Sequence, residues 1–270
     1  FKDTAQSIWS AAPGTVVIDG KATTQGGAGH EIVDFTSQIF YTDQSDAGLA
    51  SSGQLLDGIG FELNSGNWFS PDLSSMRSAI CPTPSTASGS ECEKRMLFLL
   101  GKKSNTNPDT DINADQRWSV NDVLHSSPVV LTYNGFDTNN DNSIDTFLDK
   151  VIYGTNDGAL HMVNGDTGAE EWRFMPSDFW GQQQSIFANG EGNHLYGLDV
   201  TPTVQIIDTN GDGIIKPSDS DKVRAFVSSR RGNSNIYALD LSGDILLTDT
   251  NKTVVPRFMW RIEGGVGDFT

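Results

Sequence analysis

The feature that most limits what this chain can become is a repeat in its second half. One segment runs from Ser127-Pro128-Val129-Val130 through an Asp/Asn cluster to Asp149-Lys150-Val151-Ile152-Tyr153-Gly154. It continues through Asn156-Asp157-Gly158, residues 159–163, Thr167-Gly168 and Glu171-Trp172. The next runs from Thr201-Pro202-Thr203-Val204 through a second cluster to Asp221-Lys222-Val223-Arg224-Ala225-Phe226. It continues through Gly232-Asn233, residues 235–239, Ser242-Gly243 and Met259-Trp260. Each segment reads as four short strands, because residues 150–155 and 222–228 are mostly β-branched, aromatic or small. Asn156-Asp157-Gly158 is a tight-hairpin signal, since Asn and Gly tolerate positive φ. Trp172 and Trp260 fall on the fourth strands, where a large ring can fill the wedge between neighbouring sheets. A four-stranded sheet repeated along a chain has to bury its faces on its neighbours, as the blades of a β-propeller do. The expected fold is therefore mainly β, a partial β-propeller of four-stranded antiparallel blades. The rival is a β-sandwich in which the repeat is accidental.

Residues 117–270 supply about two blades, fewer than the roughly 4–8 that close a ring. Residues 1–116 are a divergent, β-rich region that can add blade material. Strands are expected at 14–19, 31–42 and 60–63, a short helix at 92–102 with Met96, Leu99 and Leu100 on one face, and a polar loop at 105–116. Cys81 and Cys92 are close in sequence and flanked by turn formers. A disulfide closing a local loop is preferred over two free thiols, and it implies an oxidising compartment. The chain begins at Phe1 without a basic and apolar leader, which points to a mature product or a fragment. It stops soon after the second blade, which reads as a truncation. Another chain, or a further portion of the same protein, would then complete the propeller.

With 18 Lys and Arg against 35 Asp and Glu, the net charge is −17. Such a surface repels phosphate backbones and anionic lipid, so nucleic-acid binding is not expected. No apolar run reaches the roughly 20 residues of a membrane span. The acids concentrate in the two clusters, each between the Pro-containing strand and the next strand. In the second, Asp208, Asn210 and Asp212 stand at alternate positions, followed by the turn residue Gly213, the carbonyl of Ile214, and Asp219 at the twelfth position. Asp221 is a replacement ligand or an outer acid. Alternate side chains of a curled loop converge on one point, and hard oxygen ligands suit Ca²⁺. Lys216 at the ninth position departs from the pattern. In the first cluster, Asp137, Asn139, Asp141, the carbonyl of Ser143, and Asp145 take the corresponding places, with Asp149 one residue past the closing position. No flanking helix pair is expected. Two Ca²⁺ sites on β-connectors follow, set against the plainer reading of two solvated Asp/Asn turns.

The stretch Arg117-Trp118-Ser119-Val120-Asn121-Asp122-Val123-Leu124-His125-Ser126-Ser127-Pro128 resembles the start of the carboxy-terminal propeller of the PilY family, the tip-associated adhesins of type IV pili. Tyr153-Gly154-Thr155-Asn156-Asp157-Gly158-Ala159-Leu160-His161, Phe174-Met175-Pro176-Ser177 and His194-Leu195-Tyr196-Gly197-Leu198-Asp199-Val200-Thr201-Pro202 are similar to the same pattern. The resemblance spans residues 117 to about 264 and is much weaker before Met96. It implies a quinoprotein-like propeller of a bacterial, exported protein at the pilus tip or cell surface. The implied roles are pilus biogenesis, adhesion and twitching motility, with pilin, minor pilins, or a host or abiotic surface as partners. It also implies a calcium site of three Asp at four-residue spacing, matched by Asp137, Asp141 and Asp145.

The main rival class is an enzyme, a quinoprotein-like dehydrogenase fragment, since such enzymes share the propeller repeat. The separated cysteines and incomplete ring argue against it. The four histidines lack metal-ligand spacing, and no G-x-S-x-G motif is present. His125 and His161 read as packed or hydrogen-bonded residues of strands. A non-catalytic surface protein is expected, with a structural subunit of an extracellular filament as the third reading.

Overall fold

The computed structural model describes Trp9 and residues 27–32, 34–45, 48–49, 54–55, 62–63, 65–103, 117, 119–136, 146–188, 195–242 and 254–264. The first hundred residues contribute short pieces: α1 (Ala28–Glu31), β1 (Phe40–Tyr41), β2 (Gln44–Ser45), β3 (Gly48–Leu49), β4 (Gln54–Leu55), β5 (Glu62–Leu63), α2 (Ser74–Ile80) and α3 (Glu91–Leu100). The repeat region then forms two antiparallel meanders. The first is β6 (Val129–Phe136), β7 (Thr146–Gly154), β8 (Leu160–Asn164) and β9 (Glu170–Phe174). After α4 (Gln183–Ala188) comes the second, β10 (Thr203–Ile207), β11 (Lys222–Ser228), β12 (Ile236–Asp240) and β13 (Arg257–Ile262). The described fold is mainly β. Early strands extend both sheets: β1 joins β9 in parallel and pairs with β5, and β4 joins β13.

The two meanders repeat down to their irregularities. Leu160 pairs with Phe174 and Met162 with Trp172, as Ile236 pairs with Ile262 and Ala238 with Trp260. A register shift interrupts both at the same step, between Met162 and Val163 and between Ala238 and Leu239. An extra residue in one strand re-aims the side chains beyond it, so repeated bulges are designed features of a strand pair.

The sheets pack head to tail. The face of the first sheet carrying Leu131, Tyr133, Ile152, Met162 and Trp172 is buried. It meets the opposite face of the second, where Val223, Ala225, Val227, Tyr237 and Leu239 are also buried and belong to the same core cluster. Two polar contacts cross this core. The Tyr133 hydroxyl donates to the Leu241 carbonyl and the Trp172 indole to the Val254 carbonyl, both at 2.6 Å. Buried Tyr and Trp need such acceptors, because an unpaired donor would lose its hydration without compensation. Lys150, fully buried, forms an ion pair with Glu171. The two tryptophans differ: Trp172 fills the wedge as expected, whereas Trp260 is half-buried beside Phe226, ring centres 5.7 Å apart.

The helix expected at 92–102 is α3. The Ser90 hydroxyl accepts from the Glu93 amide at 3.1 Å, and Glu93 accepts in return from Gly89. This near capping box sets the start. At the end, Gly101 has φ 108° and Lys102 N donates to Leu97 O at 3.0 Å, a glycine stop. The Cys81–Cys92 disulfide joins the end of α2 to the first turn of α3, with both residues buried in the core. The strand expected at 31–42 is not continuous. Asp34 accepts from the Thr36 amide at 2.9 Å and from its hydroxyl, capping a 3₁₀ turn at Phe35–Ser37, and among the described residues of this stretch only Phe40–Tyr41 pair as a strand. Residues 60–63 yield the two-residue β5. Residues 14–19 and 105–116 lie outside the described residues.

Candidate cation loop and sheet junction

The loop between β10 and β11 curls as its sequence requires. Asp208 accepts from the amides of Gly211 and Gly213, each at 2.7 Å, and Asn210 accepts from Asp212 N at 3.0 Å. Asp212 accepts from Ile214 N at 2.9 Å. Gly211 and Gly213 have φ of 76° and 79°, a conformation in which a side chain would be strained. Asp221, buried at the base, accepts from Thr209 N at 2.8 Å and Lys216 N at 3.0 Å, holding its carboxyl below the ordinary range. Ile215 is the loop's anchor. It is buried, and its amide donates to Thr132 O of β6 at 3.2 Å.

A cation already sits in this loop. The Lys216 ammonium lies 2.5 Å from Asp212 Oδ2, which holds Asp212 below its ordinary range. Asp212 chiefly, then Asp219 and Asp221, raise the Lys216 ammonium above its own. Asn210 links Asp219 at 2.8 Å to Asp212 at 3.2 Å. Among the described residues no three acidic, His or Cys side chains converge to hold a metal. The carboxylates of Asp208, Asp212, Asp219 and Asp221 serve Lys216, Asn210 and backbone amides instead. The donor set, with the Asn210 side chain and the Ile214 carbonyl, remains all-oxygen and of the kind Ca²⁺ takes. Lys216 would have to withdraw for those oxygens to close on a metal.

Of the first cluster, Asp137, Asn139, Asp141, Ser143 and Asp145 lie outside the described residues. Asp149 is described, and it stands within β7, accepting from the Thr132 hydroxyl at 2.7 Å. It is thus not at the place in the fold that Asp221 occupies, because Asp221 precedes β11.

A second polar site lies where the lead-in to β6, the β7–β8 turn, residues 196–199 and the β11–β12 loop meet. They enclose a cavity of about 280 Å³. Asp199 is its keystone, accepting from the amides of Leu124, His125 and Ser126 at 2.9, 2.8 and 3.1 Å. The His125 ring Nδ1 lies 2.7 Å from its second oxygen. Burial pushes the Asp199 carboxyl up, but the backbone amide and ring of His125 and the other amides outweigh it and hold it below the ordinary range. His125 and Asp199 each precede the Pro of their repeat by three residues. That symmetry was visible in the sequence, but nothing there indicated that the two would touch. Of the other cavity residues, Tyr196 stood in the family-like stretch 194–202 with no role attached, and Arg230 and Arg231 carried no signal. His125 is hydrogen-bonded as expected, although it lies in coil and is half-exposed.

His161 lies in β8, fully buried. Its Nε2 is 3.0 Å from the Thr155 hydroxyl and its Nδ1 2.5 Å from Glu170. Arg173 donates to Glu170 at 2.6 Å, to Leu99 O at 2.8 Å and to the Ser119 hydroxyl at 2.7 Å. This buried chain ties the β7–β8 hairpin to α3.

No family model and no solved structure matches the chain. A curated relative does: the type IV pilus biogenesis factor PilY1 of Pseudomonas aeruginosa (strain UCBPP-PA14) is 32% identical over 136 residues, covering 37% of this chain and 12% of that protein. Part of this chain is thus a distant relative of part of PilY1. The chain spans only about an eighth of that relative's length. Among the described residues no helix is long and apolar enough to cross a membrane.

Proposed function

We propose that this chain is a calcium-binding, non-catalytic segment of a β-propeller that acts at the tip of a type IV pilus, in pilus biogenesis, adhesion and twitching motility. The observation that carries the pilus assignment is the partial relation to PilY1. The Cys81–Cys92 disulfide suits an exported protein.

The propeller reading rests on how the sheets stack. On the first sheet, on the face turned to the second, Ile152, Leu160, Met162, Trp172 and Phe174 are fully buried. Their counterparts by strand register on the second sheet are Phe226, Ile236, Ala238, Trp260 and Ile262. Of these, Ala238 is buried, but Phe226, Ile236 and Trp260 are half-buried and Ile262 is 53% exposed. A head-to-tail contact leaves its own half open for the next unit, and such contacts build rings when the rotation closes. Further blades, from the same protein or another chain, would cover this face.

The calcium reading rests on the Asp208 loop, an acid-ringed curl that already holds the Lys216 ammonium. Ca²⁺ would take that cation's place on Asp208, Asn210, Asp212, Asp219 and the Ile214 carbonyl, and tie the β10–β11 connector down. Asp137, Asn139, Asp141, Ser143 and Asp145 form the second proposed site. Immunogold labelling of the native protein on pili tests the location. Label confined to filament ends is expected. Label spaced regularly along filaments would replace the tip reading with that of a structural subunit.

A further inference from the structure

The cavity at the sheet junction is a cationic pocket in a chain of net charge −17. Its one carboxylate, Asp199, is committed to three backbone amides and to His125. Two guanidiniums remain on the wall, Arg230 and Arg231, both exposed. Arg231 lies over the Tyr196 ring, 5.4 Å from its centre, and is 3.3 Å from the Tyr196 hydroxyl. Arg230 makes no ion pair among the described residues. His125 spends Nδ1 on Asp199 and leaves Nε2 without a hydrogen-bond partner among the described residues, on a side chain that is 46% exposed. The rim is apolar, for Leu124 is 61% exposed.

We infer that this pocket binds a small organic carboxylate, the anion held by Arg230 and Arg231 and its apolar body lying against Tyr196 and Leu124. Planar guanidiniums grip a carboxylate through paired N–H bonds. In the neutral ring, Asp199 fixes the proton on Nδ1 of His125, so Nε2 can accept from a ligand hydroxyl. When the ring is protonated, Nε2 donates to the anion. The volume, just under the roughly 300–1,000 Å³ of common small-molecule sites, suits one ring or a short chain. The pocket is built from both repeats, so it exists only when the sheets are stacked. It shares no residue with the Asp208 loop and does not depend on calcium.

Calorimetric titration of the full chain with benzoate, and with neutral benzamide as control, tests this. The expected result is saturable binding of benzoate, with benzamide at least tenfold weaker. The Arg230→Gln/Arg231→Gln double variant should bind benzoate at least tenfold more weakly while its melting temperature stays within about 2 °C of wild type, because both side chains are exposed and only the surface contact of Arg231 with Tyr196 is lost. Absence of saturable benzoate binding, equal binding of benzamide, or full affinity in the double variant would overturn the proposal.

Discussion

At the scale of single residues, the two sites depend on carboxylates in opposite ways. Asp199 is satisfied by fixed amides, so its charge is structural. Asp199→Asn keeps the shape but turns a charged acceptor into a neutral one, and should cost about 2–3 kcal/mol at pH 7 by denaturant unfolding. Because the folded carboxyl titrates below its unfolded value near 3.9, its contribution is complete above that value and is lost as the pH falls through the folded one. The gap between wild type and variant should therefore narrow as the pH is lowered from neutrality past the unfolded value, and a gap unchanged by acid would refute the assignment. In the Asp208 loop the charge is exchangeable. Lys216→Gln removes the resident cation, so calcium affinity should rise roughly tenfold at low salt. An unchanged affinity in calorimetry would mean that Lys216 does not compete for the site.

At the scale of elements, the repeat strands were legible because hairpin signals and β-branched runs act locally, and α3 because Met96, Leu99 and Leu100 recur on one buried face. The second strand of each repeat was misregistered. Asp149-Lys150 matches Asp221-Lys222 by residue type, yet Lys150 opposes Asn164 and Arg224 opposes Asp240, so Lys150 answers to Arg224. Register is set by cross-strand partners, and a two-residue slip keeps every side chain on its face, so sequence alone cannot detect it. The cavity was illegible because its walls come from four separate connectors. The disulfide fixes the α2–α3 pair from within the core. Cys81→Ser/Cys92→Ser should lose about 2–3 kcal/mol, on the entropy of so short a loop plus two buried hydroxyls. A loss under 0.5 kcal/mol would mean the bridge is dispensable.

At the scale of the molecule, head-to-tail stacking of the two sheets makes equivalent residues unequal. Trp172→Ala opens a cavity between the sheets and frees the Val254 carbonyl, and should cost about 3–5 kcal/mol. Trp260→Ala, on the uncovered face, should cost less than half of that, and equal losses by chemical denaturation would contradict the stacking. Bound calcium, as proposed, would turn the chain's acidity into a device that fastens strand connectors. The most direct measurement is a thermal melt of the full chain in saturating Ca²⁺ against chelator at matched ionic strength, repeated with Asp208→Asn/Asp212→Asn. At 100 times Kd the metal adds about 2.7 kcal/mol, or about 5–10 °C for a chain of this size. That shift is expected in the wild type, with a clear reduction in the variant. A midpoint unmoved by calcium in the wild type would contradict the calcium reading.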